Sequence, residues 1–294
     1  MSRLRANLLL LLAAVLWGIG NIAHKTILDH LDAISVVGLT CLIGGLLTLP
    51  FIRAEITAYP GPGWSRSVVR VSALFALGVV LQQIAFVSAS VTNASFLIST
   101  TTVLTPLFAW FMVRERPGPG VIVATGMTLT GSFLLSGGLS GTAGIGDAIA
   151  LLAAAAFALW TVELGRHVKS FRRPFTTATA QFLGTALLVL PLSLARGDIH
   201  LPAVVAAWPE LLMLGVFSTA VAFCLQTHAQ RYTTANHAAV IVSSECVFAA
   251  IAAAAWLGER LPPQGVAGAS IVLAGVLLVA TKSGRSAHAA IKVP

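Results

Sequence analysis

The chain has 294 residues, of which 57% are hydrophobic and only 10% are charged, and its mean hydropathy is +0.90. Soluble domains carry about 25% charged residues, so this composition excludes a water-soluble globular protein and indicates that lipid is the main solvent. The formal net charge of +8 does not indicate nucleic-acid binding, because the basic residues are scattered between apolar runs and form no continuous stripe.

Sequence motifs for metal binding, nucleotide binding or catalysis are absent. The three cysteines, Cys41, Cys224 and Cys246, lie inside apolar runs and form no CxxC pair, which argues against a zinc site or a disulfide scaffold. The sequence contains no GxxxxGK[ST], HExxH or GxSxG motif. We therefore predict no metal, no cofactor and no enzymatic activity, and we do not expect ATP to be the direct energy source.

Apolar runs bounded by charged residues or by Gly and Pro predict ten membrane-spanning helices, because a spanning helix needs about 20 mostly apolar residues. In chain order the predicted spans cover residues 6–23, 33–52, 71–89, 93–113, 121–136, 147–164, 175–195, 210–230, 235–257 and 265–281. The first run follows Arg3 and Arg5, as in a signal peptide. It is nevertheless long enough to span and has a counterpart in the sixth run, so we keep it as the first helix.

The distribution of basic residues predicts the orientation of the chain. If the N-terminus lies in the cytoplasm and ten spans alternate, fifteen of the 18 Lys and Arg residues lie inside, and Lys25, Arg196 and Arg260 lie outside. This bias is the one that the positive-inside rule describes. The sequence therefore predicts a multi-pass protein with both termini in the cytoplasm and the lipid bilayer as its surroundings.

An internal repeat divides the chain into two halves. Residues 13–17 (AAVLW) correspond to residues 156–160 (AFALW) at a shift of 143, and residues 99–101 (STT) correspond to residues 243–245 (SSE) at a shift of 144. Because five is an odd number, two five-helix halves in series must insert with opposite orientations. The predicted fold is therefore an all-α integral membrane protein of ten transmembrane helices in two inverted five-helix repeats, residues 1–143 and 144–294. Such repeats place a binding site near the membrane midplane, where the halves meet.

Three motifs carry a family resemblance: residues 16–18 (LWG), residues 115–117 (ERP) and residues 255–261 (AWLGERL). Over nearly its whole length the chain resembles the drug/metabolite transporter superfamily, in particular the ten-helix EamA-type exporters of bacteria. The resemblance implies export of amino acids or related metabolites across the inner membrane, with exporters of aromatic and other neutral amino acids as the nearest match. It also implies a central cavity lined by the first, third, fourth, sixth, eighth and ninth helices. Many relatives have Glu-Pro where this chain has Glu245-Cys246, so the resemblance does not imply a kink there.

Polar side chains at membrane depth are costly and therefore informative. Ten polar or aromatic residues, several of which share helix faces at i, i+3, i+4 or i+7 spacing, are predicted to bind the substrate. These residues are Trp17, Asn21, Gln82, Gln83, Ser99, Trp160, Ser218, Gln226, Ser244 and Glu245. Indole rings would supply apolar contact, and amides and hydroxyls would bond the polar part of a small solute. Each residue could instead serve helix packing, since Ser and Thr often join membrane helices.

Glu245 is the sharpest candidate, because an acidic residue near the middle of a span costs roughly 2.5 to 3.5 kcal/mol on insertion scales. We predict that it faces the cavity and either binds a substrate amine or carries a coupling proton. The alternative is a structural hydrogen bond to a neighbouring helix. Pro106 predicts a gating hinge or a static kink in the fourth helix, and His24 and His167, near helix ends, are gating candidates.

These features predict a secondary transporter that exports small neutral metabolites, amino acids foremost, by alternating access. Export of other amphiphilic metabolites or drugs is the alternative, and a passive channel or a membrane-embedded enzyme is less favoured. Apart from the solute and the bilayer, one partner is a candidate. Gly268 and Gly275 share a face of the tenth helix and permit close contact, either inside the chain or with a second copy in a homodimer.

Overall fold

The computed structural model describes residues 1–56, 60–89, 91–137, 144–256 and 262–289, with Thr92 and residues 282–289 described by their backbone alone. Most of the third family motif, including Arg260 with its predicted outside location, lies beyond these ranges. The α-helices are α1 (Arg3–Thr26), α2 (Ala33–Thr48), α3 (Trp64–Ser88), α4 (Val91–Ser99), α5 (Thr101–Val113), α6 (Pro119–Leu135), α7 (Ile145–Phe171), α8 (Pro174–Arg196), α9 (Leu201–Ala206), α10 (Trp208–Leu212), α11 (Phe223–Ala229), α12 (Ala235–Val242), α13 (Glu245–Trp256) and α14 (Pro263–Ala289). A ten-residue π-helical segment, Met213–Ala222, joins α10 to α11 and is called the π segment below.

Nine helical segments of the described chain are long and apolar enough to cross a membrane, and α6 is a shorter apolar helix. Together they match the ten predicted spans, with α4 and α5 forming one span, α10 to α11 another, and α12 and α13 a third. Some predicted bounds are wrong: α3 begins at Trp64 rather than residue 71, and α7 continues to Phe171 rather than residue 164. Basic residues such as Arg70 and Arg166 stay helical there, because long cationic side chains can extend to the interface from a helix end.

Helix pairing follows the two-fold relation that the repeat predicts. The second spans of the two halves, α2 and α8, pack together, as do the fifth spans, α6 and α14. The fourth spans also pair, through α5 with α12 and α4 with α13. The third span, α3, packs on the sixth, α7, and the symmetry mate of this contact joins the eighth span to α1. The chain is thus built from two inverted halves that meet along a shared interface.

The fourth span of each half is broken at the same repeat position. Thr100 separates α4 from α5, and residues 243–244 separate α12 from α13. Side chains around both breaks donate hydrogen bonds to carbonyls three residues earlier, which competes with the helical ladder and bends helices. These bonds run from Ser99 to Phe96, Thr100 to Leu97, Thr101 to Ile98, Ser243 to Val240 and Ser244 to Ile241. Pro106 lies inside α5, so the break precedes the proline, whose hinge role stays a prediction.

Glycines bring helices close together at two places. A Cβ on Gly18 of α1 would lie 2.7 Å from the backbone oxygen of Glu245, so this approach of α1 to α13 requires glycine. Gly131 of α6 and Gly268 of α14 face each other, and a Cβ on Gly131 would lie 2.6 Å from the Gly268 oxygen. The glycine face of α14 is therefore used inside the chain. A homodimer through this helix would need another face, where Leu277 is exposed, and stays a prediction.

Candidate functional site

A cavity of about 100 Å³ lies between the two halves, from the middle of the bundle toward the end opposite the N-terminus. Its described walls come from α1 to α5, α7, the π segment and α11 to α13, whereas no described residue of α6 or α14 lines it. The contribution of α2 goes beyond the helices that the family resemblance implies. Val36, Val37, Thr40 and Cys41 lie on the cavity; sequence reasoning missed them because three of them are apolar and Thr40 is an ordinary helix-packing residue.

Most of the predicted binding residues meet at this cavity. Eight of the ten line it: Trp17, Gln82, Gln83, Ser99, Trp160, Ser218, Gln226 and Glu245. Asn21 and Ser244 are buried behind the wall, Asn21 in contact with Glu245 and Ser244 bonded to the Ile241 carbonyl of its own helix. The role of both residues in binding stays a prediction. Asn21 would act through its hydrogen bond to Glu245, and Ser244 would first have to give up its bond to the Ile241 carbonyl.

Aromatic rings form a continuous wall of the cavity. Phe223 lies at its centre, with ring centroids 4.7 Å from Trp17, 4.9 Å from Phe75 and 5.6 Å from Trp160. The Trp17 indole donates to the Ser218 carbonyl at 3.1 Å. The edge-to-face and tilted geometries are those that aromatic pairs prefer. Sequence reasoning found both tryptophans but missed Phe75 and Phe223, because a Phe in an apolar span gives no signal that separates a cavity wall from a packed core.

The Trp160 indole of α7 is fixed within its own half of the chain, because it donates to Gln181 Oε1 of α8. Gln181 in turn donates from its Nε2 to the Thr177 carbonyl at 3.2 Å. Both tryptophans therefore have their N–H groups satisfied by the protein. Their contribution to a ligand is the apolar ring surface rather than a hydrogen bond.

Glu245 is the first residue of α13, because the break at residues 243–244 interrupts the ninth span just before it. Its Oε1 accepts a hydrogen bond of 2.8 Å from Asn21 Nδ2, and the same nitrogen donates to Ser95 Oγ at 3.2 Å. The backbone N–H groups of the three residues after Glu245 already donate to carbonyls of residues 243–244, so they are not free to hold the carboxylate. No ion pair to Glu245 occurs among the described residues. The acid is thus held by neutral groups at the edge of the cavity.

Two cavity amides are not committed to structure. Gln82 and Gln226 line the cavity, and their side-chain amides form no hydrogen bond with another described residue. Gln83 differs, because its Oε1 lies 2.6 Å from His24 Nδ1 and its Nε2 donates to the His24 carbonyl at 3.0 Å. Gln82 and Gln226 can therefore donate to and accept from a ligand, while Gln83 mainly fixes α3 to α1.

A second contact between α1 and α3 lies beside the one between His24 and Gln83. Lys25 Nζ donates to the carbonyl oxygens of Phe86 at 2.7 Å and Ala89 at 3.3 Å. These carbonyls lie at the C-terminal end of α3, where a cation is favoured. His24 lines the cavity next to this Lys25 contact, and its gating role stays a prediction.

His167 lies away from the cavity. Its Nδ1 is 2.8 Å from Ser67 Oγ and its Nε2 is 3.1 Å from Thr177 Oγ1, so the ring links α7 to α3 and α8 near the end that carries the N-terminus. This placement agrees with a structural link as well as with the predicted gating role. Pro106, the predicted hinge, does not line the cavity either.

Comparisons with known proteins agree with this architecture. Residues 4–137 and residues 144–281 each match the EamA-like transporter family. A protein of Archaeoglobus fulgidus named an uncharacterized transporter is 29% identical over 289 residues, which cover 96% of this chain and 87% of the relative. The uncharacterized transporter YwfM of Bacillus subtilis is 23% identical over 297 residues, covering 96% of this chain and 97% of the relative. A solved crystal structure with 18% identity superposes with a TM-score of 0.78 over 95% of this chain and 98% of that chain, which shows a shared fold.

Proposed function

Because this chain belongs to the EamA-like transporter family and is a multi-pass membrane transporter of small solutes, we propose that its solutes are neutral metabolites. Amino acids, including aromatic ones, are the main class in this proposal. The protein acts as a secondary exporter in the bacterial inner membrane and works by alternating access through the cavity between its halves.

The observation that carries the proposal is the combination of groups on the cavity wall. An amino acid carries an ammonium group, a carboxylate and a side chain. Glu245 has no cationic partner among the described residues and can pair with the ammonium group. The amides of Gln82 and Gln226 can donate hydrogen bonds to the carboxylate. The rings around Phe223 suit an apolar or aromatic side chain. A cavity of about 100 Å³ admits several waters or a small solute.

The basic residues support the proposed orientation, with both termini in the cytoplasm. In this orientation the cavity lies toward the outer face, and the helix ends nearest the termini close the cytoplasmic side. Export then requires the opposite arrangement, in which the cytoplasmic side opens and solute reaches Glu245. In the proposal the carboxyl of Glu245 also carries the coupling proton, since a protonated acid releases a bound ammonium group.

The test is efflux from proteoliposomes loaded with individual radiolabelled neutral amino acids, with and without a pH gradient. We expect saturable efflux that unlabelled competitors reduce, with empty liposomes and the Glu245→Gln variant as controls. Efflux that neither saturates nor responds to competitors would indicate a passive channel. Well-folded protein that moves no amino acid would overturn the proposed substrate class.

Export of other amphiphilic metabolites or drugs is the second candidate. It is favoured by the aromatic wall, which offers more apolar than polar contact and recognises flat rings without regard to an amino-acid backbone. The same liposomes loaded with a lipophilic cationic dye separate the two. Dye efflux that amino acids do not inhibit would favour this candidate.

A further inference from the structure

Ten buried side chains have polar atoms without a hydrogen-bond partner among the described residues, and four of these side chains lie in the half of the bundle that carries the N-terminus, next to the cavity. They are both amide atoms of Asn7, the hydroxyl of Thr105, Oε1 of Gln230 and Oδ1 of Asn236. All four residues are at most 4% exposed. Buried polar atoms without a partner are unusual in a folded protein, because each loses its hydrogen bonds to water without replacement. We call these four residues the polar track.

The polar track continues the cavity toward the end of the bundle that carries the N-terminus. Thr105 lies one helical turn beyond the lining residue Thr102, and Gln230 lies one turn beyond the lining residue Gln226. Residues three or four apart share a helix face. On these two helices, therefore, a polar face that begins at the cavity runs on into the closed half of the bundle.

Of the other two members, Asn236 follows the same rule, and Asn7 lies on a stripe of α1 that reaches the residue bonded to Glu245. Asn236 precedes the lining residue Ala239 by one turn of α12. Asn7 lies on the stripe of α1 that continues through Ala14 to Asn21 at seven-residue steps. Four helices thus extend polar positions in one direction, away from the open half of the cavity.

Contacts between these helices place the four residues in one region. Gln230 Nε2 donates to the carbonyl of Thr161, itself a lining residue, at 3.3 Å. Ala235, beside Asn236, packs with Val162 of α7 and Ala109 of α5. Ala6, beside Asn7, packs with Ala229 and Ala238. The track is therefore enclosed by α1, α5, α7, α11 and α12.

Charged groups lie at the end of the polar track that is nearest the N-terminus. Glu115 Oε1 accepts a hydrogen bond of 3.5 Å from the backbone nitrogen of Asn236, and Glu115 and Arg3 both interact electrostatically with Lys169. This mixed set of charges has no counterpart inside the track, which offers only amides and one hydroxyl. The interior therefore suits an uncharged or zwitterionic solute better than an ion.

We propose that Asn7, Thr105, Gln230 and Asn236 form a second solute-contact site, which lines the path between the cavity and the N-terminal end when that end opens. The site is shut in this structure, and its unpartnered atoms bond solute or water in the other arrangement of the halves. This inference rests on the proposed transport function and adds residues that touch the solute before it reaches Glu245.

The first test is thiol labelling during transport. Asn236→Cys and Gln230→Cys are made in the otherwise native chain, and labelling is read at each introduced position by peptide mass spectrometry, because the native Cys41 and Cys246 line the cavity. Val240→Cys is the matched control, since Val240 is fully buried one turn from Asn236 and packs with Val121, Ala124 and Val279. A membrane-impermeant methanethiosulfonate reagent is added from the N-terminal side of vesicles that are exchanging phenylalanine. We expect labelling about tenfold faster than at Val240→Cys, because only path residues gain access when the population shifts.

Two results separate this inference from the proposed function. If phenylalanine exchange proceeds and both path cysteines react as slowly as Val240→Cys, the second site is wrong while the substrate proposal stands. If both cysteines react rapidly and no amino acid is exchanged, the second site stands and the proposed substrate class is wrong.

The second test uses Thr105→Val, which removes an unpartnered hydroxyl and keeps the shape of the side chain. The thermal unfolding midpoint in detergent should stay the same or rise, while exchange per folded molecule falls by about fivefold, the effect of one lost hydrogen bond to a moving solute. Thr128→Val is the control, because Thr128 is equally buried in α6 and its hydroxyl already donates to the Thr125 carbonyl at 3.0 Å. Its exchange rate should not change. A lower midpoint with unchanged exchange for Thr105→Val would show that the residue is structural.

Discussion

Asn21 and Glu245 are joined across the two halves of the protein by a hydrogen bond of 2.8 Å from Asn21 Nδ2 to Glu245 Oε1. Two local features make the contact possible. Gly18 lets α1 approach the backbone of α13, and the helix break before Glu245 places the acid at a helix N-terminus. Among the described residues the acid is therefore held by an amide rather than by a cation, which leaves its charge available to a solute.

Replacement of Glu245 by Gln should abolish coupled transport. Gln keeps the size of the side chain and can still accept from Asn21, but it cannot bind an ammonium group as an ion pair or release a proton. We expect efflux in proteoliposomes to fall by at least about tenfold, a loss of about 1.4 kcal/mol in transition-state stabilisation, and the remaining flux to be independent of a pH gradient.

The matched control for this change is Glu163→Gln. Glu163 pairs with Arg166 at 2.7 Å and does not line the cavity, and partly exposed pairs of this kind contribute little. Its flux should stay close to that of the unchanged protein. Full, gradient-dependent flux from Glu245→Gln would show that the acid is a structural residue.

The aromatic wall should set the preference for aromatic solutes. Phe223→Leu removes the ring that contacts Trp17, Phe75 and Trp160. We expect the KM for phenylalanine to rise by about 3- to 10-fold, while the KM for alanine changes little, since an aromatic pair contributes about 0.5 to 1.5 kcal/mol. Phe111→Leu, at a ring that is 71% exposed on the outer surface of α5, should change neither value. Equal changes for both solutes would contradict a ring-specific wall.

The approach of α1 to α13 should not tolerate a methyl group at Gly18. A Cβ there would lie 2.6 Å from the Phe248 Cβ and 2.7 Å from the Glu245 oxygen, so Gly18→Ala should push the helices apart at a cost of about 1 to 3 kcal/mol. We expect a lower thermal midpoint in detergent and reduced flux. Gly126→Ala in α6 meets no atom within 4 Å and should leave both unchanged. A stable, active Gly18→Ala protein would refute the close contact.

Much of the fold follows directly from the sequence. Hydropathy identifies the ten spans because each must present mostly apolar side chains to the bilayer while its backbone groups bond within the helix. The repeat at a shift of 144 aligns the STT and SSE sequences where both fourth spans are broken. The helix ends are less predictable. Arg70 and Lys169 mark loops on a charge criterion, yet both lie within helices that extend past the apolar core.

The site is predictable only where polarity is the signal. Gln82, Gln226 and Glu245 stand out in apolar spans and line the cavity. Gln83, next to Gln82 in sequence, instead has its side chain hydrogen-bonded to His24. Periodicity cannot tell a free glutamine from a bonded one, because the difference depends on what the partner helix places opposite it. Phe75 likewise becomes part of the wall only through tertiary packing, which no local pattern in α3 encodes.

The central claim, that the cavity carries neutral amino acids by alternating access, is tested most directly by counterflow. Proteoliposomes are loaded with unlabelled phenylalanine and diluted into a trace of labelled phenylalanine. The account predicts transient accumulation of label that is stimulated by neutral amino acids inside and is lost in the Glu245→Gln variant. Label that only equilibrates at the same rate with and without internal amino acid, from protein shown to be folded, would contradict it.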